Sequence, residues 1–467
     1  KIIKYDMLIN IYHTKMINKY KNATRSLIFT SIFLIASSTI ILAPALNPNI
    51  SHVKANGAIC KGDFNNNQLV DIQDFGTLGQ NYKKSNINCS LDIIKDDCYL
   101  DVADFQEFAK VYKKTDYCIT TPPPVTPTTG IWLSPQEIKA LPIAGNTGCT
   151  SGSLCYSAWN NIVSTANSSW GSANLSDNNS SHDIKTLAGA LVAVRLDDTN
   201  MRNKTIQGLQ SAMNSPLARS LELSRGLQTY IISADIIGYR TPEFETWVRN
   251  MLNADVSPHT GGSDLCNSSG VAESCNSLGG LVCTALRAPN NWGGHARASA
   301  IAAALYLKDD ALLQRLVNAH RAFIGETVTN NLYCQSTNWH ADSTNRYGIN
   351  KVGSKINGVD VSGVLPEDWR RGAEFAWPPT KSGYMWEGMQ GYVVASIMLS
   401  RAGKLSINSG DNALKRTMDI LYQINYAPEG DDSWIPWVVN KAIGTNYPVA
   451  AASGGKNMAW TDWTHFK

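Results

Sequence analysis

The stretch from Asn290 to Leu307, NNWGGHARASAIAAALYL, sets two amides, an indole, two glycines, a histidine and an arginine at the head of an apolar helical run. Asn290 and Asn291 can cap that helix, and its first turn offers uncommitted backbone N–H groups and a partial positive charge that suit an anionic ligand. Farther along, QSTNWHADSTNRYGIN places His340 in a polar loop with Trp339 and Arg346. With an ordinary pKa near neutrality, that imidazole is a general-base candidate or a plain exposed loop histidine. The densest stretch is PEDWRRGAEFAWPPTKSGYMWEGMQGY, where Arg370, Arg371 and Lys381 supply positive charge and Trp377 and Trp386 supply flat faces for stacking a sugar. Pro378 and Pro379 hold a rigid turn there, Tyr384 stands just before a helix, and Glu387 falls in the first turn.

The asparagine-led motif NNWGGH resembles the signature of the alginate lyase superfamily, enzymes that cleave uronic-acid polysaccharides by β-elimination, and the resemblance covers most of residues 131–467. Such an elimination needs the C5 carboxylate neutralised, a base for the C5 proton and an acid for the departing O4. The resemblance implies Asn291 as neutraliser with Asn290 as helix cap. Many relatives have histidine directly after this asparagine; Trp292 stands there in this chain, and the nearest histidine, His295, is left to orient Asn291, to bind a flanking sugar or to sit in the core. Tyr384 is implied as the acid, or as base and acid both, with Arg371 in preference to Arg370 beside it to ease loss of its proton. A helix-start aromatic packed into the core is the competing reading of Tyr384. Trp292, His295, Lys381, Trp377 and Glu387 are expected to bind substrate, and Glu387 is also available as a general acid.

A helix over Leu221–Tyr239 with Arg225, Gln228 and Tyr230 is similar to a recurrent helix of the same superfamily, and its polar residues are read as structural. The C-terminal DDSWIPWVVN and GKNMAWTDWTHF carry Trp434, Trp437, Trp460, Trp463 and His465, suited to carbohydrate stacking or to a core.

Positioning these groups requires helices, and apolar residues at three- and four-residue spacing predict them over Ser157–Ala166, Ile184–Leu196, Leu221–Tyr239, Phe244–Leu252, Ala298–Tyr306, Ala311–Phe323, Met385–Ala402 and Ala413–Ile424. Long Gly/Asn/Ser loops run over 257–277 and 330–365, of the length that functional loops reach. The expected fold is mostly α: an α/α toroid, or incomplete α/α barrel, over 131–467, preceded by a small helical module.

That module is legible in CKGDFNNNQLVDIQDFGTLGQNY. Asp63, Asn65, Asn67, Leu69 (through its carbonyl), Asp71 and Asp74 fall at the alternating positions of a calcium loop. Gln68 replaces the usual glycine and Asp74 the usual glutamate, which lowers the expected affinity. The frame recurs as LDIIKDDCYLDVADFQEFAKVY, although Lys95 and Ile93 occupy two ligand places in the second copy. The loop-plus-helix with Phe75, Leu78 and Tyr82 resembles half of a dockerin, which implies structural Ca2+ in residues 56–119 and a cohesin-like or cell-surface partner. No cofactor is expected for catalysis. Thr120–Gly130, TTPPPVTPTTG, is a stiff linker between the two units.

At 467 residues the chain can bury a large core, and a net charge of +3 without a basic run gives no reason to expect nucleic acid. A monomer with an acidic polysaccharide substrate is expected. Met16 is a credible start for a basic segment (Lys19, Lys21, Arg25), an apolar run over 27–46 and Val53-Lys54-Ala55, a secretory signal within residues 1–55. An uncleaved membrane anchor is the alternative; polar residues in the run, with Pro44 and Pro48, favour cleavage. Ten cysteines fit export: Cys60, Cys89, Cys98 and Cys118 in the module, and Cys149, Cys155, Cys266, Cys275, Cys283 and Cys334 beyond it. Cys149 with Cys155 and Cys266 with Cys275 could each staple a loop. No CxxC spacing supports zinc.

No serine triad spacing, nucleotide loop or HExxH is present. Two rivals stand beside the lyase: an inverting glycoside hydrolase using carboxylates such as Glu374 and Glu387, and a non-catalytic binder of acidic glycans.

Overall fold

The computed structural model describes residues 72–82, 102–112, 130–259, 264–265, 278–326, 332–334, 337–452 and 458–466. The chain divides into two compact units, Lys1–Pro124 and Val125–Lys467, with the break inside the Pro/Thr stretch. The signal segment, Asp63, Asn65, Asn67, Leu69 and Asp71, the second loop ahead of Asp104, most of the linker, and Cys266 with Cys275 lie outside the described residues.

In the first unit, helices α1 (Ile72–Asn81) and α2 (Val102–Val111) carry the two copies of the repeated frame. Asp74 and Asp104 hold equivalent places in their first turns, and both are buried. The following aromatics pack on one another: Phe75 meets Phe105 edge-on at 5.8 Å between centroids, and Tyr82 meets Phe105 at 5.2 Å. Leu78 and Phe108, again equivalent, are buried beside them. The apolar stripe of each copy thus covers that of the other.

The second unit is mostly helical: α3 (Pro135–Ala140), α4 (Leu154–Asn167), α5 (His182–Leu196), α6 (Thr199–Met213), α7 (Ser220–Ile236), α8 (Pro242–Leu252), α9 (Gly280–Arg287), α10 (Asn291–Leu307), α11 (Asp310–Phe323), α12 (Pro366–Trp369), α13 (Tyr384–Arg401), α14 (Ser409–Gln423), α15 (Ile435–Ile443) and α16 (Thr461–Thr464). Two antiparallel pairs of two-residue strands join β1 (Asp264–Leu265) to β2 (Tyr333–Cys334) and β3 (Lys355–Ile356) to β4 (Val359–Asp360).

Helix α10 is the hub, packed chiefly against α13 and α7. Its residues are buried all round except Trp292 and Leu305, as an Ala-rich helix without a polar face requires. Outer helices are one-sided: α8 buries Phe244, Trp247, Val248, Met251 and Leu252. Each such large apolar side chain contributes roughly 1.5–3 kcal/mol on burial.

Helix α10 begins seven residues before the apolar run alone suggests, because Asn290 caps it by accepting the Gly293 N–H. Helices α6, α9 and α15 were not anticipated; α6 faces the core with Met201, Thr205, Gly208, Leu209 and Ala212, too few large apolar residues to show a stripe. In α14 the backbone of Gly410, Asp411 and Asn412 is left-handed, so regular helix starts at Ala413. Cys149 and Cys155 are bridged, and Cys283 is also disulfide-bonded. Among the described residues no helix is long and apolar enough to cross a membrane.

The crossing of α10 and α13 fixes the site. At Gly391 an added Cβ would lie 2.2 Å from the His295 backbone nitrogen, so the two backbones touch where only hydrogen fits. One turn earlier on each helix stand Asn291 and Glu387.

Candidate active site

The N-termini of α10 and α13 converge, bringing two partial positive charges together, and acidic groups answer them. Glu387 lies in the first turn of α13. Asp368 on α12 accepts the Asn291 backbone N–H at 2.9 Å, so the helix-end position that the sequence offers to an anionic ligand is taken by a carboxyl group of the protein itself.

Glu387 Oε2 accepts the Asn291 side-chain amide at 2.9 Å and Arg225 Nη2 at 3.0 Å. Arg225 was read from sequence as a structural residue of an ordinary core helix; the structure brings it into this cluster, where it also donates to Asn178 Oδ1 at 2.6 Å and lies 3.5 Å from His295 Nε2. Nothing in its sequence surroundings separates it from Gln228, which does serve packing by bonding Ser299 between α7 and α10. His295 is fully buried beneath Arg225. It orients the guanidinium rather than facing solvent.

Tyr384 is half-buried at the start of α13, and the exposed Arg371 lies with its guanidinium 4.0 Å from the ring centroid. That is a cation–π contact on the face of the ring. Arg370 instead bonds Glu367 Oε2 at 2.9 Å, which separates the roles of the two arginines. His340 is buried, not loop-exposed, with Nε2 3.3 Å from Glu367 Oε1. Its place is in a His340–Glu367–Arg370 group that anchors α12.

Trp292 is half-buried, flanked by His259 at 4.6 Å between rings and by Arg219 at 5.4 Å. His259, which sequence reasoning passed over, pairs its Nε2 with Asn290 Nδ2 at 2.9 Å. Burial, with Arg371 and Arg370 nearby, holds its pKa below the usual histidine value. Its position in a long loop gave no periodic signal.

Lys381 turns to the Asn425 carbonyl at 2.9 Å and the Tyr426 ring. Trp377 is half-buried beside a cis bond to Pro378, and Glu374 is exposed. Trp386 is buried and donates to the Tyr426 carbonyl, so it is core and not a stacking face. Trp434, Trp437, Trp460, Trp463 and His465 are likewise buried.

Burial pushes the Asp368 carboxyl up to about 8 even though the Asn291 N–H opposes it, and Glu367 and Glu387 add to the rise. Arg225 also borders a small polar cleft lined by Asn174, Asp177, Asn178, Asp183 and Glu222 among others. Burial raises Asp183 to about 7. Chemically, the cluster can neutralise a carboxylate through Asn291 and Arg225, and Tyr384 stands three residues before Glu387 in the first turn of the same helix. Against known proteins, the chain matches no family, no curated protein and no solved structure.

Proposed function

We propose that the chain is a secreted polysaccharide lyase that cleaves a uronic-acid polymer, alginate or glucuronan in type, by β-elimination on an α/α-toroid unit, carried behind a dockerin-like calcium module. One observation supports the reading above others: two donors from different helices, Asn291 and Arg225, converge on a single carboxylate oxygen. A uronate carboxylate takes the same donors when substrate enters, with Glu387 turning to a sugar hydroxyl. Withdrawing charge from that carboxylate acidifies the C5 proton; Tyr384 takes it as a phenolate, the C4–O4 bond breaks as the C4=C5 double bond forms, and the phenol so made returns the proton to O4. Arg371 lies over the Tyr384 ring and holds it in place.

The matching apolar faces of α1 and α2, with Asp74 and Asp104 in equivalent places, support the module as a two-copy docking unit holding Ca2+. Its partner is cohesin-like or a cell-surface protein.

Incubating the full chain with polymannuronate, polyguluronate, glucuronan and pectate tests the activity. Ultraviolet absorbance of unsaturated uronate is the expected product signal. Reducing ends without absorbance would transfer the site to the hydrolase reading, with Glu387 and the exposed Glu374 as its carboxylates. Binding without either signal would leave a glycan-binding protein.

A further inference from the structure

Two polar atoms at the cluster are sealed from solvent without a hydrogen-bond partner among the described residues, Asn291 Oδ1 and Asp368 Oδ2. They belong to residues already joined through the Asn291 N–H and Asp368 Oδ1. Asp368 Oδ2 faces α13: a Cβ added at Gly388 would come within 2.6 Å of it. The carboxyl group thus spans the gap between the helix that carries Asn291 and the helix that carries Glu387.

Charged groups surround it on each packed element: Glu367 on its own helix, Arg371 just beyond, Glu387 on α13 and Arg297 on α10. Most are committed elsewhere. Glu367 is held by His340 and Arg370, Glu387 by Arg225 and Asn291, and Arg297 through Nη1 by the carbonyls of Ala285 and Ala288, its Nη2 being left without a partner among the described residues. An anion on Asp368 would place an unsolvated oxygen against Gly388 and add a third negative charge beside Glu367 and Glu387. A carboxylic acid has neither problem, and its hydroxyl can donate a hydrogen bond where the carboxylate could only accept.

We propose that Asp368 is the positioning residue of this site: as an un-ionised acid it locks the N-terminus of α10 against α13 and holds Asn291 at its carboxylate, and its ionisation releases the lock. The consequence for turnover rests on the elimination reading; the lock itself does not. Asn at this position keeps shape and neutrality, so it separates protonation from mere bulk.

The test compares full-length wild type with Asp368→Asn and Asp368→Ala. In wild type, kcat on the acidic polymer falls up to tenfold per pH unit above about pH 8 with little change in KM, and Asp368→Asn abolishes that limb. Asp368→Ala lowers kcat at every pH. Melting midpoints give a readout independent of activity. A folded pKa near 8 against an ordinary 3.8 means that the stability lent by the neutral acid is full below about pH 4 and is lost as pH rises toward 8. The advantage of Asp368→Asn over wild type therefore widens across that interval and is constant above it. Midpoints that run parallel from pH 4 to 9 would overturn the proposal, as would an alkaline limb that persists in Asp368→Asn. If no polymer yields unsaturated product, the elimination reading fails and the melting comparison still decides the lock.

Discussion

Asn291 donates its side-chain amide to Glu387 Oε2 at 2.9 Å across 96 residues of chain. The contact exists because α10 and α13 cross backbone to backbone at Gly294 and Gly391, one turn below. Arg225 reaches the same oxygen from α7. Three helices thus meet at a carboxylate that is one-quarter exposed at its side chain, 24%.

Removing the amide tests the neutraliser. We predict that Asn291→Ala lowers kcat on a uronate polymer by about 10²–10³-fold, the usual cost of one preorganised donor at a developing anion. Initial rates of absorbance increase, taken at saturating polymer, measure it. A loss confined to KM would show that Asn291 binds the ground state only.

Tyr384 and Arg371 separate chemistry from its support. Tyr384→Phe should cost about 10²–10⁴-fold in kcat with the melting point nearly unchanged, since only the hydroxyl is lost from a half-buried ring. Arg371→Ala should cost less, because the arginine touches the ring face and not the substrate. An active Tyr384→Phe enzyme would remove the phenol from the mechanism and turn attention to His259.

Gly391→Ala tests the crossing. Its Cβ would lie 2.2 Å from a backbone nitrogen that has no room to retreat, so the helices must part. We predict destabilisation of about 1–3 kcal/mol, read from a denaturant midpoint, together with loss of carboxylate binding. Full activity in a stable variant would mean that the Asn291–Glu387 distance is set elsewhere.

Calcium removal should act on the first unit alone. Chelation is expected to unfold α1 and α2, seen as lost protection from proteolysis within residues 56–119, with lyase rates unaltered. Asp74→Ala, at the described ligand candidate, should raise the calcium concentration needed for protection. Protection that ignores calcium would refute the metal loop.

The mostly helical character of the chain was determined by its sequence, because apolar spacing repeats over each long helix and needs no partner to be seen. The Asn290 cap was legible for the same reason: a cap bonds N–H groups only three residues away. The grouping of Arg225 with Asn291 and Glu387 was decided by tertiary structure, since nothing local marks one polar residue of a buried helix as facing a site and another as facing a neighbour. The same holds for Asp368, whose acid–base character comes from burial between two helices distant in the chain. Tryptophans show the limit most plainly: Trp386, Trp434 and Trp463 have the composition of a sugar platform, and only packing, which withdraws them from solvent, makes them core.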